Sequence, residues 1–195
     1  MSLSRLRQRI REATELTDLA STSRRYFVLG AFDGTLIVLG VVLGAYATGA
    51  GAEQMRMALF AGLSAAVALS ISSAVGAYEA ERVDKLLTRA GIERALLADV
   101  SEEHAEAFKL ATQISALVHA AAPLIAAVVP LLPFVIIPDM GVAVLASVML
   151  TLSVLFILGA YLGNLVREKR FLTGMRFVVA GLATFVILFA LGATH

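Results

Sequence analysis

Five long apolar segments constrain the fold of this chain of 195 residues more than any other feature. A helix needs about 20 predominantly apolar residues to cross the hydrocarbon core of a bilayer, because each residue adds about 1.5 Å of rise. The segments that reach this length are Tyr26 to Thr48, Met57 to Tyr78, Gln113 to Ile137, Met140 to Asn164 and Thr173 to Gly192. The sequence therefore predicts an all-α membrane protein with five transmembrane helices and a short helical cytoplasmic insert between the second and third.

The charged residues lie mostly between these segments. Charged residues make up 16% of the chain, against about 25% in ordinary soluble domains. Arginine and lysine concentrate in residues 1–25, 79–112 and 165–172, whereas the opposite side receives only Arg56. Since cytoplasmic loops carry the excess of basic residues, the N-terminus is predicted to be cytoplasmic and the C-terminus outside. Short loops and the absence of a targeting sequence favour a prokaryotic plasma membrane.

This pattern divides the chain into four predicted regions. They are a cytoplasmic amphipathic helix in residues 1–25, the first two transmembrane helices in 26–78, an acidic helical cytoplasmic segment in 79–112, and the last three transmembrane helices in 113–195. The amphipathic helix is expected to lie on the inner leaflet or on the protein's own cytoplasmic segment. A cleavable signal peptide ending at Ala45-Tyr46-Ala47 is the competing interpretation, but the apolar run before it is too long.

Several classes of function lack their sequence signatures. The chain has no cysteine, which excludes disulfides, thiol chemistry and iron–sulfur clusters. The net charge of only +1 gives no basic field for nucleic acid. There is no glycine-rich phosphate loop, no HExxH motif and no plausible Ser, His and Asp set. The protein is therefore predicted not to be an enzyme and to hold no tightly bound cofactor.

Asp33 is the most costly residue of the chain to place in a membrane. It lies seven residues into the first predicted span, and an ionised side chain near the centre of such a helix costs about 2.5 to 3.5 kcal/mol. Acids in such positions commonly mark an ion or proton path, and the alternative is a carboxylate satisfied by Thr35 or by a neighbouring helix. Asp33 is predicted to face protein or water rather than lipid.

Small and hydroxyl residues surround this acid. The first span carries two pairs of glycines at four-residue spacing, Gly30 with Gly34 and Gly40 with Gly44. Such pairs let helix backbones approach closely. The second span is rich in serine, and we interpret the hydroxyls of Ser70 and Ser73 as parts of the same path as Asp33. Ordinary tight packing is the alternative interpretation.

The third predicted span contains prolines, at Pro123, Pro130 and Pro133, followed by Pro138. Each interior proline removes a backbone donor and clashes with the carbonyl four residues earlier, so this helix is expected to be kinked or broken. Broken helices line substrate paths in some transporters and are plain structural kinks in other proteins. His119 in the same span is interpreted as structural.

The acidic residues of the cytoplasmic segment form a second constellation. One helix face is predicted to carry Asp99, Glu102, Glu103 and Glu106, with His104 close by. Oxygen ligands with one imidazole suit divalent cations such as Mn²⁺ or Fe²⁺, and the alternative is a charged helix whose acids pair with basic neighbours. Glu79 and Glu81, where the second span ends, form either an acidic entrance or the solvated end of that helix.

Several motifs make the sequence similar to the vacuolar iron transporter family. They are Phe32-Asp33-Gly34, the serine-rich second span ending in Gly76-Ala77-Tyr78-Glu79, Pro130-Leu131-Leu132-Pro133-Phe134, and Arg176 followed by Ala180-Gly181-Leu182-Ala183. The Phe-Asp-Gly and Pro-Leu-Leu-Pro elements are the most specific. The resemblance covers residues 24–192.

The resemblance implies a homodimer that exports Fe²⁺ or Mn²⁺ from the cytoplasm in exchange for protons, through a path at the dimer interface. Asp33 matches the family's intramembrane carboxylate, and residues 79–112 take the place of its cytoplasmic metal-gathering domain. The predicted transport path comprises Asp33, Ser70, Ser73 and Glu79. The predicted metal ligands are Asp33, Glu79, Glu81, Asp99, Glu102, Glu103, His104 and Glu106. The expected partners are the divalent ion, the bilayer and a second copy, without nucleic acid.

Two positions depart from the family's pattern. Ser72-Ser73 stands where the family commonly carries a Ser-Met pair, and Gly76-Ala77-Tyr78 stands where it carries Gly-Glu-Tyr. Loss of the soft thioether is expected to weaken any preference for Fe²⁺ over harder ions. The alternatives to metal export are a non-transporting membrane scaffold or metal sensor with the same fold, or a transporter of another small solute.

Overall fold

The computed structural model of the protein describes Thr14, Thr17 and residues 18–96 and 102–192, the side chains of residues 96, 102–104, 191 and 192 excepted. Within these residues the ordered elements are all helices, which confirms the predicted all-α class. The helices are α1 (Leu19–Ala47), α2 (Ala52–Leu96), α3 (Glu102–Leu131), α4 (Pro133–Ile136), α5 (Met140–Leu165) and α6 (Arg170–Gly192).

Five of these helices are long and apolar enough to cross a membrane, namely α1, α2, α3, α5 and α6. This number confirms the five predicted spans. The helices extend beyond the apolar segments, however. Hydropathy marks the part of a helix that lipid can surround, whereas the backbone hydrogen bonds of the helix continue into polar residues. Ion pairs along the helix stabilise the extension of α2, such as Arg89 Nε to Glu93 Oε1 at 2.7 Å. The predicted helical insert is therefore built from the extensions of α2 and α3.

The first spanning helix begins before the predicted boundary after residue 25, since it includes residues 19–25. α1 begins at Leu19, after Asp18 in the left-handed region with φ of 47°. Leu19 is buried in a small cluster with Ala107 and Ala111 of α3, so burial continues the helix seven residues before Tyr26. Most of the predicted amphipathic helix, residues 1–13 and 15–16, lies outside the described residues.

α1 lies at the centre of the bundle and packs against α2, α3, α5 and α6. Val38, Leu39 and Val42 are completely buried in its main core cluster. Toward the start of α1, Val28 and Ala31 pack against Ala122 and Leu158 in a second cluster. Because one helix supplies side chains to both clusters, its remaining exposed face is narrow, and the candidate site lies on that face.

The predicted close approach is present at the first glycine pair of α1. A Cβ on Gly30 would lie 3.0 Å from the His119 carbonyl oxygen, and a Cβ on Gly34 would lie 2.5 Å from the Pro123 carbonyl oxygen. Pro123 frees the His119 carbonyl from its helical hydrogen bond, and this carbonyl lies against Gly30. The second pair does not pack in the same way, since a Cβ on Gly44 would meet no atom within 4 Å.

Gly34→Ala is expected to destabilise the protein by about 1 to 3 kcal/mol, as overpacking typically does. The added methyl group would press on the Pro123 backbone, which cannot rotate away as a side chain can. The midpoint of thermal unfolding in detergent measures the effect. Gly91→Ala is the matched control, because Gly91 is an exposed helical glycine whose added methyl group meets open space, and equal midpoints for the two variants would contradict the proposed contact.

The predicted break in the third span lies near its end. α3 remains helical through Pro123 and ends at Leu131, and the short α4 begins at Pro133. Pro123 is completely buried. The helix tolerates it because the His119 carbonyl, which loses its helical hydrogen bond, lies at the contact with Gly30 of α1. The proline-rich element therefore both aligns α3 with α1 and turns the chain toward α5.

Candidate functional site

Asp33 lies on the outward face of α1. Its side chain is exposed, while the next two residues, Gly34 and Thr35, are buried against the bundle. The Thr35 hydroxyl donates to the Ala31 carbonyl at 2.6 Å, so it does not satisfy the acid as one interpretation of the sequence proposed. Among the described residues, no group forms a hydrogen bond or ion pair with Asp33. An acid on a membrane span thus has no direct partner among the described residues of one chain.

His119 of α3 contacts Tyr26, which lies on the same face of α1 as this acid. Its Nδ1 is 2.8 Å from the Tyr26 carbonyl oxygen, and since a carbonyl only accepts, Nδ1 carries the proton. The Nε2 atom is then the ring nitrogen that remains for a proton or a metal ion. The imidazole also interacts electrostatically with the Asp33 carboxylate. Sequence reasoning gave His119 no role, because its position depends on how α3 packs against α1 and no residue spacing reveals that.

Tyr26 connects this imidazole to a second carboxylate. The Tyr26 and His119 rings are 4.9 Å apart, and the Tyr26 side chain also interacts with Glu81 of α2. Tyr26 and Asp33 are seven residues apart, so they lie on one face of α1 about 10 Å apart along the axis. Glu81, Tyr26, His119 and Asp33 form a row that we call the Glu81–Asp33 row.

The two acids at the end of the second predicted span differ in their environments. Glu79 is exposed and pairs with Arg82 at 2.9 Å, as expected of a solvated helix end. Glu81 is buried, with 5% of its surface exposed. The Lys85 Nζ lies 3.7 Å from Glu81 Oε2, which is too long for a hydrogen bond, and this oxygen has no hydrogen-bond partner among the described residues. Glu81 therefore matches the predicted acidic entrance better than Glu79 does.

The two serines predicted to belong to the path are buried, whereas Asp33 is exposed. Ser70 and Ser73 are both buried on α2, and the Ser70 hydroxyl donates to the Ala120 carbonyl of α3. Ser70 thus joins α2 to α3, whereas Asp33 is exposed on α1. The structure shows no hydrogen bond between these serines and Asp33 among the described residues.

The predicted acidic cluster of the insert falls largely outside the described part of the chain. Asp99 is not described, nor are the side chains of Glu102, Glu103 and His104, while Glu106 is exposed. Among described residues no group of three or more His, Asp or Glu side chains could hold a metal ion. The cavity of about 230 Å³ between α2 and α3 in this region is lined instead by basic residues, namely Arg82, Lys85, Arg89 and Lys109.

These features define an integral membrane protein with several spans and an acid on one of its spanning helices. Comparison with known proteins then identifies the family. The profile of the VIT family matches residues 93–193. The uncharacterized protein MJ0645 of Methanocaldococcus jannaschii is 30% identical over 169 residues, which cover 85% of this chain and 86% of that protein. The chain belongs to the VIT family, a family of membrane transporters for metal ions.

Proposed function

We propose that the protein exports a divalent metal ion, Fe²⁺ or Mn²⁺, from the cytoplasm as a homodimer and in exchange for protons. The observation that carries this proposal is the exposed position of Asp33 on a membrane span. Facing lipid, an ionised carboxylate near the helix centre would cost about 2.5 to 3.5 kcal/mol. An ion path at an interface between subunits removes this cost, because water, a metal ion or a partner then surrounds the acid.

A second copy of the chain is the partner that completes such a path most simply. A two-fold interface uses the same surface of both subunits, so each subunit would contribute its Asp33 near the axis. Two carboxylates supply oxygen ligands of the kind that Mn²⁺ and Fe²⁺ accept. The open space beside Gly44, on the same face of α1 as Asp33, would let the two α1 helices approach closely.

The Glu81–Asp33 row supplies the rest of the proposed path. Glu81 lies where α2 leaves the predicted membrane span and has an oxygen without a hydrogen-bond partner. We assign it to the entrance, where a cation would bind the carboxylate oxygen that no described residue hydrogen-bonds. Tyr26 and His119 then connect the entrance to Asp33.

Proton exchange follows from the chemistry of the acid. A carboxylate binds metal only when deprotonated, so binding of metal to Asp33 releases any proton that it holds. We assign acceptance of that proton to His119 Nε2, because Nδ1 already donates to the Tyr26 carbonyl. In this mechanism the metal ion and the proton occupy Asp33 alternately.

Transport into proteoliposomes tests the proposal directly. Vesicles that contain the purified protein and a metal-sensitive dye are expected to accumulate Mn²⁺ or Fe²⁺ faster than protein-free vesicles. An acidic vesicle interior should accelerate uptake, because protons then leave the vesicle as metal enters it. A proton ionophore should remove this acceleration. Failure of the wild-type protein to move any divalent ion would contradict the proposal.

Glu81→Gln is expected to raise the KM for metal about fivefold, which corresponds to about 1 kcal/mol, with little change in maximal rate. The reason is that an entrance ligand contributes to capture of the ion and not to its passage beyond Asp33. Initial rates of Mn²⁺ uptake against concentration measure both constants. Glu53→Gln is the control, because Glu53 is an exposed acid at the opposite end of the same helix. Equal KM values for the two variants would remove Glu81 from the path.

A further inference from the structure

Two grooves flank the contact between the start of α1 and the end of α5. The first groove, of about 470 Å³, lies between α1, α5 and α6. The second, of about 490 Å³, lies between α1, α3 and α5. Arg24 and Tyr161 line both grooves. The two grooves therefore lie on either side of one arginine and one tyrosine, at the end of the bundle where α1 begins.

The walls of both grooves are mainly apolar. Phe32 and Phe177, whose rings are 5.2 Å apart in an edge-to-face arrangement, line the first groove together with Leu162. Phe27 and Ile157 line the second. These residues belong to the spanning helices, so the grooves extend from the helix ends into the depth of the bilayer. Such surfaces fit acyl chains.

The first groove is positively charged at the end of the bundle where α1 begins. The residues that line it include Arg24, Arg25 and Arg176. Of these, Arg176 forms an ion pair, with its Nη1 3.3 Å from Glu168 Oε2. In the described part of the chain, Arg24 and Arg25 form no ion pair with a carboxylate. Arg24 Nε donates to the Ala20 carbonyl at 3.0 Å, and the Arg25 guanidinium lies over the Tyr26 ring, so neither contact neutralises the positive charge. Two such guanidinium groups beside an apolar groove complement an anion that carries apolar chains, since basic pockets between spanning helices suit anionic headgroups.

We propose that these grooves bind one anionic diacyl phospholipid. Its phosphate lies at Arg24, and one acyl chain follows each groove, on the two sides of Tyr161. The tyrosine ring and hydroxyl suit this level, where apolar chains meet polar headgroups. The bound lipid would brace α1 against α5 and α6, and this role does not depend on the proposed metal transport.

Charge and position argue against two other occupants. Residues 1–13 of the chain carry four arginines and one glutamate, so this segment has the same sign of charge as the groove. A second copy that covers Asp33 would leave Arg24 uncovered, because Arg24 is nine residues from Asp33 and therefore about 180° away around the helix.

Titration of the delipidated protein with phosphatidylglycerol in detergent tests the proposal. Native mass spectrometry is expected to show one tightly retained lipid per chain, and the lipid should raise the midpoint of thermal unfolding. Phosphatidylcholine should do neither. Arg24→Gln is expected to weaken retention about fivefold, the effect of about one basic residue at a membrane surface. Arg170→Gln, at the same end of the bundle but outside the grooves, should leave retention unchanged.

A second variant separates the acyl-chain grooves from simple charge. Ala180 lines the first groove, and Ala180→Phe should fill it and reduce lipid retention while every arginine remains. Equal weakening by Arg24→Gln and Arg170→Gln would overturn the proposal in favour of unspecific surface charge. Stabilisation by glycerol 3-phosphate equal to that by phosphatidylglycerol would overturn it in favour of a site for a free phosphate. Unchanged retention in both Arg24→Gln and Ala180→Phe would also overturn it.

Discussion

Asp33→Asn is expected to reduce metal uptake into proteoliposomes to the level of protein-free vesicles. The asparagine keeps the shape of the side chain but has no negative charge to hold a divalent cation inside the membrane and no proton to exchange for it. We expect a loss of at least about tenfold, the factor that corresponds to about 1.4 kcal/mol. The initial rate of Mn²⁺ uptake measures it.

The stability of the same variant distinguishes loss of function from loss of fold. The neutral asparagine side chain would avoid the cost of an ionised group in the membrane, so the variant is expected to unfold at the same temperature as the wild type or higher. Asp139→Asn is the matched control for transport. Asp139 caps α5 by accepting from the Val142 backbone N–H at 2.8 Å, and asparagine is an equally good N-cap. Normal uptake by Asp33→Asn would exclude Asp33 as the intramembrane ligand.

Ile37→Cys is expected to give a covalent dimer upon oxidation in the membrane. Ile37 lies one turn after Asp33 on the exposed face of α1, so two copies should face each other across the proposed two-fold axis. The chain has no cysteine of its own, and any disulfide must therefore join two introduced thiols. Non-reducing electrophoresis should show most of the protein at twice the monomer mass.

Leu145→Cys provides the comparison for this experiment. Leu145 is also an exposed apolar residue, with 64% of its surface accessible, but it belongs to α5 and not to the face of α1 that carries Asp33. It should remain monomeric under the same oxidation. Similar dimer yields from both positions would indicate random collision, and a dimer from Leu145→Cys alone would place the interface on another face.

The fold could be predicted from sequence because lipid imposes a simple rule on length. Any helix that crosses the hydrocarbon core needs a long apolar segment, and the chain contains five of them. The ends of the helices could not be predicted in the same way. Leu19 and the charged extension of α2 continue their helices for reasons of packing and ion pairing that a hydropathy threshold does not detect.

The candidate site was only partly accessible to the same reasoning. Asp33 stood out because a charge in a span is costly, and Gly34 because its spacing indicates close packing. The burial of Glu81 and the contact of His119 with Tyr26 depend on contacts between helices that are distant in the sequence. Ser70 is the converse case, since its hydroxyl fits the hypothesis of a path but donates to a backbone carbonyl on α3.

The length of α2 has a mechanical consequence. Its 45 residues make a rod of about 67 Å, more than twice the roughly 30 Å of a hydrocarbon core. A tilt of about 10° within the bilayer would therefore displace the distal end of the rod by several ångströms. Ser70 and Glu81 lie on this same rod. Binding of a ligand near its distal end would therefore move the proposed entrance at Glu81 and the contact between Ser70 and α3.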